Sequence, residues 1–450
     1  MSDGNLDRRQ LLVRGGLIAG AATVAGVGGY VAAREVSDDG EATAAAGTTT
    51  AGDEGALFAL DPKYTNMTTF LLAQHPKPVR DAIERHRKAL DAGTELYLLQ
   101  ATPEFEEAAR AAAADYLGTG PDQVALTDST TMGLGLVYAR LRLGPGDEVL
   151  TTEHDFYATH QSLHLREQVD GIAVKKVRLY PLDAPETASA DKIVSAIAGG
   201  ITPKTRAVAI TWVHSSSGVK LPLDQIAAAV NDANDGRGES EQILLCVDGV
   251  HGFGAEDASP VDLGAHVFAT GTHKWLFGPR GTGLVWAAAH AWERLVPTIP
   301  TFDGQAYAAW LFGAVPDVPA GSLNTPGGFH SFEHRWALKE AFETHKNELG
   351  GRAKVAATTH ALAKRLKEGL AAIDGVTVKT PMDESLSAGL VAVDLAGLEP
   401  RDAVDKLRED HRIVASVTPY ATEYLRFGPS VANTEADVDE TIAAVKSLAG

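Results

Sequence analysis

From about Asp61 onward, apolar and polar positions alternate in two registers. Short apolar runs rich in Val, Ile and Leu occur at Val124–Leu126, Glu148–Thr151, Val174–Arg178, Ala207–Thr211, Ile243–Val247, Val267–Ala269 and Gly283–Trp286. Runs of this length and composition read as buried strands. Stretches of helical periodicity separate many of them, which predicts right-handed crossovers between parallel strands. Ahead of this region, Arg80–Leu90 and Glu104–Leu117 read as two helices, the second opened by Thr102-Pro103. After about Trp336 the pattern changes. A long helical stretch (335–347, continuing into 353–373) is followed by strands near Val376–Lys379 and Leu390–Val393, then a closing helix from Thr434 to Leu448. The pattern therefore predicts an α/β domain over residues 56–335 and a smaller α+β domain over 336–450. No repeat of fixed period is evident.

The first 55 residues follow neither register. Arg8-Arg9-Gln10-Leu11-Leu12 is a twin-arginine pattern, and an uncharged Gly/Ala-rich run extends from Gly15 to Ala33. The run is glycine-rich and a poor permanent membrane span. Residues 1–33 read as an export signal for the twin-arginine translocation machinery, which places the mature protein outside the cytoplasm. Residues 34–55, rich in Ala, Gly, Thr and acid, read as a flexible linker.

Composition adds exclusions. The 450-residue chain carries 40 basic and 59 acidic side chains, a formal charge of −19, which disfavours a nucleic-acid partner. Cys246 is the one cysteine, so an internal disulfide and a cysteine-rich metal site are both excluded. The glycine-lysine fingerprints of P-loop and dinucleotide-binding folds are absent.

Four segments carry candidate chemistry. In the first, a strand runs into a hydroxyl-rich helix start, Val124-Ala-Leu-Thr-Asp-Ser-Thr-Thr-Met-Gly133, and such a start suits a phosphate. The second is the strand Ile243-Leu-Leu-Cys-Val-Asp248, which ends in a carboxylate able to keep a pyridine nitrogen protonated. In the third, Lys274 follows a strand within Thr272-His-Lys-Trp and precedes Gly278-Pro-Arg-Gly-Thr-Gly283. A shielded lysine has a lowered pKa and can attack an aldehyde. The fourth places Arg426 near the C-terminus, where its fork can grip a substrate carboxylate. Taken singly, the first is better explained as a helix cap and the second as a turn-opening Asp, the fourth is as readily a structural ion pair, and only for the third does the strand–His-Lys-Trp–glycine context speak against a plain surface lysine.

Their order along the chain resembles that of the class V aminotransferase-like family of fold-type I pyridoxal phosphate enzymes, and within it the isopenicillin-N-epimerase-like branch. The resemblance runs from about residue 60 to 448 and is carried by Thr-His-Lys274-Trp with Gly-Pro-Arg-Gly-Thr-Gly, by Val-Asp248-Gly-Val-His251, and by His214-Ser-Ser-Ser-Gly-Val-Lys-Leu-Pro222. It implies pyridoxal 5'-phosphate held by Lys274 as a Schiff base, with Asp248 on the ring nitrogen and His251 near the ring hydroxyl. Thr130, Thr131 and His273 hold the phosphate. Phe156 stacks on the ring, with His154 and Tyr157 as competitors for that role. His214 and Ser216 approach the substrate, and Arg426 binds its carboxylate. Asn324 and Thr325 resemble a loop that reaches a partner subunit's phosphate, which implies a homodimer. The expected activity is of aminotransferase or epimerase type on an amino acid or amine. The alternatives are a lyase acting by elimination and an exported amine-binding protein without turnover. A persulfide-forming desulfurase is disfavoured, because Cys246 lies on a strand.

Overall fold

The computed structural model describes residues 56–449. At its centre is a seven-stranded sheet of order β2-β8-β7-β6-β5-β3-β4. Its strands are β2 (Val124–Thr127), β3 (Glu148–Thr152), β4 (Ala173–Val177), β5 (Thr205–Thr211), β6 (Leu244–Asp248), β7 (Val267–Gly271) and β8 (Gly283–Ala287). Helices α1 (Lys77–Leu117), α2 (Thr130–Arg140), α3 (Tyr157–Asp170), α4 (Ala190–Gly200) and α5 (Leu223–Asn234) cover both faces.

Strand alternation divides the core. Leu126, Leu150, Val208, Leu245 and Phe268 face one layer, against Ile193 and Ile197 of α4 and Ile226 and Val230 of α5. Ala125, Val149, Ala209, Cys246 and Ala269 face the other, against Leu134 and Val137 of α2 and Leu163 of α3. Both faces are buried, so these strands read as continuous apolar runs. β3 to β7 are mutually parallel, but β8 runs antiparallel to both β7 and β2. Only residues 272–282 connect β7 to β8, too few for a helical crossover, so the chain has to turn back.

The two helices expected between residues 80 and 117 form one run, Lys77–Leu117, with a kink between them. Helical geometry passes through Pro103 and breaks at Gly93 (φ −163°, ψ 64°). The break thus falls at the residue without a Cβ, which leaves the helical region most freely, and not at the proline.

The C-terminal part contains α6 (Leu338–Asn347), α7 (Gly351–Ala371), α8 (Pro400–His411) and α9 (Glu435–Ala449). They pack with a four-stranded antiparallel sheet of order β12-β13-β10-β9, formed by Ser416–Val417, Leu425–Phe427, Val391–Leu395 and Val376–Val378. Helix α8 was not foreseen from the pattern; it buries only Ala403 and Leu407. The N-terminal segment also reaches this part. Thr65–Asn66 (β1) pairs in parallel with Ile413–Val414 (β11).

Register brings the site together. Thr211 is opposite Asp248, Asp248 opposite Ala269, and Gly271 opposite Gly283, which in turn faces Thr127. Thr127, Thr211, Asp248 and Gly271 therefore share one rim, formed by the carboxyl ends of the parallel strands, where open α/β sheets bind ligands. The proposed export signal and linker, residues 1–55, lie outside the described residues. Among the described residues no helix is long and apolar enough to cross a membrane, and no cluster of His, Cys, Asp and Glu could hold a metal ion.

Candidate active site

Asp248 closes β6 and is buried, and its Oδ1 accepts a hydrogen bond from the Val250 N–H at 3.0 Å. Burial pushes its carboxyl up to about 6, with the Asp155 charge adding to the rise; the Val250 bond and the Lys274 charge oppose it. Lys274 stands three residues past β7, half-buried, with Nζ 3.3 Å from His251 Nε2. Burial lowers its ammonium to about 8. The Arg426 charge lowers it further, and Asp248 pulls it back up. A lysine so placed supplies a neutral amine near neutral pH. His251 is buried and held neutral, its pKa driven well below the usual value by burial and by the charges of Lys274 and Arg426; its Nδ1 has no partner.

The start of α2 is built for an anion. Ser129 caps the helix, accepting from the Met132 N–H at 3.1 Å, so the capping reading holds for that residue. Thr130 is buried with its Oγ1 unpaired, and Thr131 is exposed. His273, its pKa lowered first by burial and then by the Lys274 charge, leaves Nδ1 buried and unpaired. Between them sits Gly271. A Cβ there would lie 2.7 Å from His273 Cε1, 2.9 Å from His273 Nδ1 and 2.9 Å from Thr130 Oγ1. Thr272 is spent elsewhere, since its Oγ1 bonds Thr282.

His214 follows β5 in a turn closed by Gly218 (φ 73°), where a Cβ would meet the Leu390 carbonyl at 2.6 Å. Its Nδ1 is 2.7 Å from the Tyr180 hydroxyl, which also lies 3.1 Å from Ser217 Oγ. Burial lowers His214 to about 3, so it stays neutral, and its Nε2 is unpaired. Ser216 is half-buried. Its neighbour Ser215 makes the contacts instead: Oγ to the Tyr420 hydroxyl at 2.7 Å, and the carbonyl accepting from Arg426 Nη1 at 2.7 Å. Arg426 is buried on β13, bonded also to Ser416 Oγ and lying 4.6 Å over the Phe70 ring.

Phe156 is half-buried just ahead of α3, its ring 6.0 Å from that of Tyr420. The competing residues for the ring-stacking role are placed differently. His154 is buried and stacked on Tyr180 at 3.8 Å, and Tyr157 is exposed. Asn324 and Thr325 are committed within this chain: Arg140 donates to Asn324 Oδ1, and Thr325 Oγ1 accepts from the Leu126 N–H and donates to the Gly321 carbonyl. These bonds fix the two side chains of the loop whose resemblance implies a partner subunit's phosphate.

Three contributors escaped the sequence. Tyr420 and Tyr180 meet their partners only through the tertiary fold. Buried Asp155 accepts from Thr151 Oγ1, from Thr152 N and Oγ1, and from Thr211 N, and so clamps the ends of β3 and β5. Asp155 sits between His154 and Phe156, two candidates for ring stacking, but a strand-end Asp followed by Phe gives no separate signal.

The donor set fits pyridoxal phosphate. Unpaired Thr130 Oγ1 and His273 Nδ1 flank a glycine that leaves room for a phosphate oxygen. A buried carboxylate with a raised pKa calls for a cationic N–H partner, and a lysine with a lowered pKa stands one strand away. Comparison with known proteins agrees. The chain is 26% identical over 404 residues to an isopenicillin N epimerase of Streptomyces clavuligerus, covering 87% of this chain and 96% of that protein. A probable cysteine desulfurase of Vibrio cholerae is 23% identical over 400 residues, covering 83% of this chain and 90% of that protein. The solved complex of the cystine C-S lyase C-DES with cysteine persulfide superposes with a TM-score of 0.76 at 20% identity, covering 86% of this chain and 98% of that chain. The aminotransferase class-V pattern matches residues 73–440, and the chain belongs to that family of pyridoxal phosphate enzymes.

Proposed function

We propose that this enzyme moves a proton at the α-carbon of an α-amino acid, or of a small peptide-like amine bearing an α-carboxylate, in an epimerase-type reaction. The buried Arg426 fork carries the reading. It lies within electrostatic reach of Lys274 and meets the large sheet through its bond to the Ser215 carbonyl, so a carboxylate on the guanidinium sets the α-carbon near the lysine amine. When bound, pyridoxal 5'-phosphate supplies an electron sink that makes the α-hydrogen acidic. Thr130 and His273 hold its phosphate, Asp248 keeps its ring nitrogen protonated, and Phe156 packs on the ring. Lys274 Nζ removes the α-proton from its face of the α-carbon. His214 keeps a buried, unpaired Nε2 for the substrate, and Phe70 covers the Arg426 guanidinium.

The epimerase among the relatives favours this outcome over transamination. Cys246 speaks against the chemistry named for the desulfurases: it is buried on β6, and burial pushes its thiol up to about 12. The test is a screen of amino acids of both configurations with the holoenzyme, followed by chiral chromatography and keto-acid detection. Inversion without keto acid, abolished in Lys274→Ala, is expected. Stoichiometric keto acid without inversion refutes the epimerase reading.

Two further readings belong to the same proposal. Arg8-Arg9 and the Gly15–Ala33 run support export by the twin-arginine pathway, and a full-length protein confined to the cytoplasm refutes it. Exposed Phe302, Tyr307, Trp310, Phe312 and Phe329 form the kind of apolar surface that supports a homodimer, which light scattering tests.

A further inference from the structure

The rim has a polar group that the proton-moving reading leaves without a task. Tyr420 lies on the Thr418–Tyr424 connection between β12 and β13, held by Thr418 bonds to Tyr424 and by its own N–H on the Thr418 carbonyl at 3.0 Å. From there its hydroxyl crosses to the large domain and meets Ser215 Oγ at 2.7 Å. Hydroxyl and guanidinium are thus joined through one residue, because the Ser215 carbonyl accepts from Arg426.

Two sets of groups meet at Arg426. In one, the guanidinium lies over Phe70, whose ring is 6.4 Å from His251, and His251 Nε2 is 3.3 Å from Lys274 Nζ. In the other are Ser215, Tyr420 and, 6.0 Å from the Tyr420 ring, Phe156. Strand order gives the same division. β7, which leads to Lys274, flanks β6 on one side; β5 and β3, which lead to Ser215 and Phe156, lie on the other. Lys274 and Tyr420 therefore reach the neighbourhood of Arg426 from opposite sides of β6, the lysine past β7 and the hydroxyl through Ser215 past β5.

We infer that Tyr420 is the acid–base group for the α-carbon face turned away from Lys274, so that inversion proceeds by two groups rather than one. This rests on the proton-moving reading and adds the second group. Lys274 Nζ, neutral, takes the α-proton from its face and becomes ammonium. The electron pair of the broken C–H bond takes the Tyr420 hydroxyl proton on the opposite face, and the O–H pair stays on the phenolic oxygen. The phenolate regains a proton from solvent by way of the Ser215 hydroxyl, and Lys274 releases one to solvent, so protons balance. Burial raises the Tyr420 pKa and keeps it a neutral donor at rest, while the Arg426 charge eases the transient phenolate.

Glycine tests this, since it carries one α-hydrogen for each face. The holoenzyme is incubated with glycine in deuterium oxide, and the two hydrogens are followed by NMR with stereospecifically labelled standards. The wild type exchanges both hydrogens. In Tyr420→Phe one hydrogen continues to exchange while the other slows by about 100-fold or more, the range for loss of a general acid–base group. Two readouts independent of turnover accompany it. Glycine affinity, from the cofactor absorbance shift, and the thermal midpoint both stay close to wild type in Tyr420→Phe. Equal slowing of both hydrogens together with weakened glycine binding makes Tyr420 a binding group and overturns the inference. So does unaltered exchange of both, or a wild type that exchanges only one; in those cases the proton-moving reading stands. A wild type that exchanges neither hydrogen refutes that reading and this inference with it.

Discussion

A single methyl group tests the phosphate cradle. Gly271→Ala places a carbon 2.7 Å from His273 Cε1 and 2.9 Å from both His273 Nδ1 and Thr130 Oγ1, all inside contact distance. Gly271 lies in extended backbone at the end of β7, so the substitution costs nothing through φ and acts by overlap alone. His273 is half-buried and can swing aside, whereas Thr130 is fixed in the first turn of α2. The methyl therefore takes the space of a phosphate oxygen or turns one donor away. A hydrogen bond to a charged group contributes about 1.5–3 kcal/mol. Losing one weakens binding by about 10- to 100-fold. The covalent link through Lys274 would mask such a loss, so the comparison is made in a Lys274→Ala background. Pyridoxal 5'-phosphate is titrated against tryptophan fluorescence, with and without Gly271→Ala. Thermal melts of both proteins check that the fold survives. Dissociation constants equal within about twofold, with both proteins folded, would refute the placement of the phosphate between Thr130 and His273.

Asp155→Ala leaves the Thr152 and Thr211 N–H groups buried without an acceptor, at about 1–3 kcal/mol each. Chemical denaturation should show a loss of about 2–6 kcal/mol; an unchanged midpoint sinks the clamp role. The Lys274 ammonium, lowered to about 8, predicts how the apoprotein captures pyridoxal 5'-phosphate. The neutral amine is the reactive form, so the rate rises as pH passes through about 8 and levels off above it. An ordinary lysine would keep accelerating toward about 10.4. Stopped-flow absorbance across that range decides between the two curves.

The parts of the site that the sequence disclosed share a cause. Asp248 and Lys274 each come at or just after the end of an apolar run that can only be a buried strand, and a strand in an open α/β sheet delivers its carboxyl end to the ligand rim. One residue's position then fixes another's without knowledge of the tertiary fold. Thr130 was readable for the same reason, as the start of a helix after a strand. Tyr420 was not, because its partner Ser215 is 205 residues away and joins it only when the small domain docks. Tyr180, 34 residues from His214, likewise depends on packing. The antiparallel β8 was hidden by composition, since its Gly-Leu-Val-Trp-Ala reads like the parallel strands beside it. Connection length, not strand character, sets its direction. Helix α8 escaped because its apolar stripe is only Ala403, Val404 and Leu407, set among charged residues.

In the proposed function, these long-range contacts put substrate discrimination at the joint between the two sheets. The lysine, the carboxylate and the phosphate cradle all come from one sheet rim and are rigid with respect to one another. The substrate-facing groups do not share that origin. Arg426 and Tyr420 come from the antiparallel sheet of the small domain, and Phe70 from the segment following β1, itself paired with β11. Ser215 is the joint, with its carbonyl on Arg426 and its hydroxyl on Tyr420. A shift of the small domain therefore moves carboxylate grip and proposed proton donor together, while Lys274 and Asp248 stay in place. The proposed roles make cofactor chemistry and substrate choice separable: substitutions at the joint are expected to alter which face of the α-carbon is served before they alter whether pyridoxal phosphate is held.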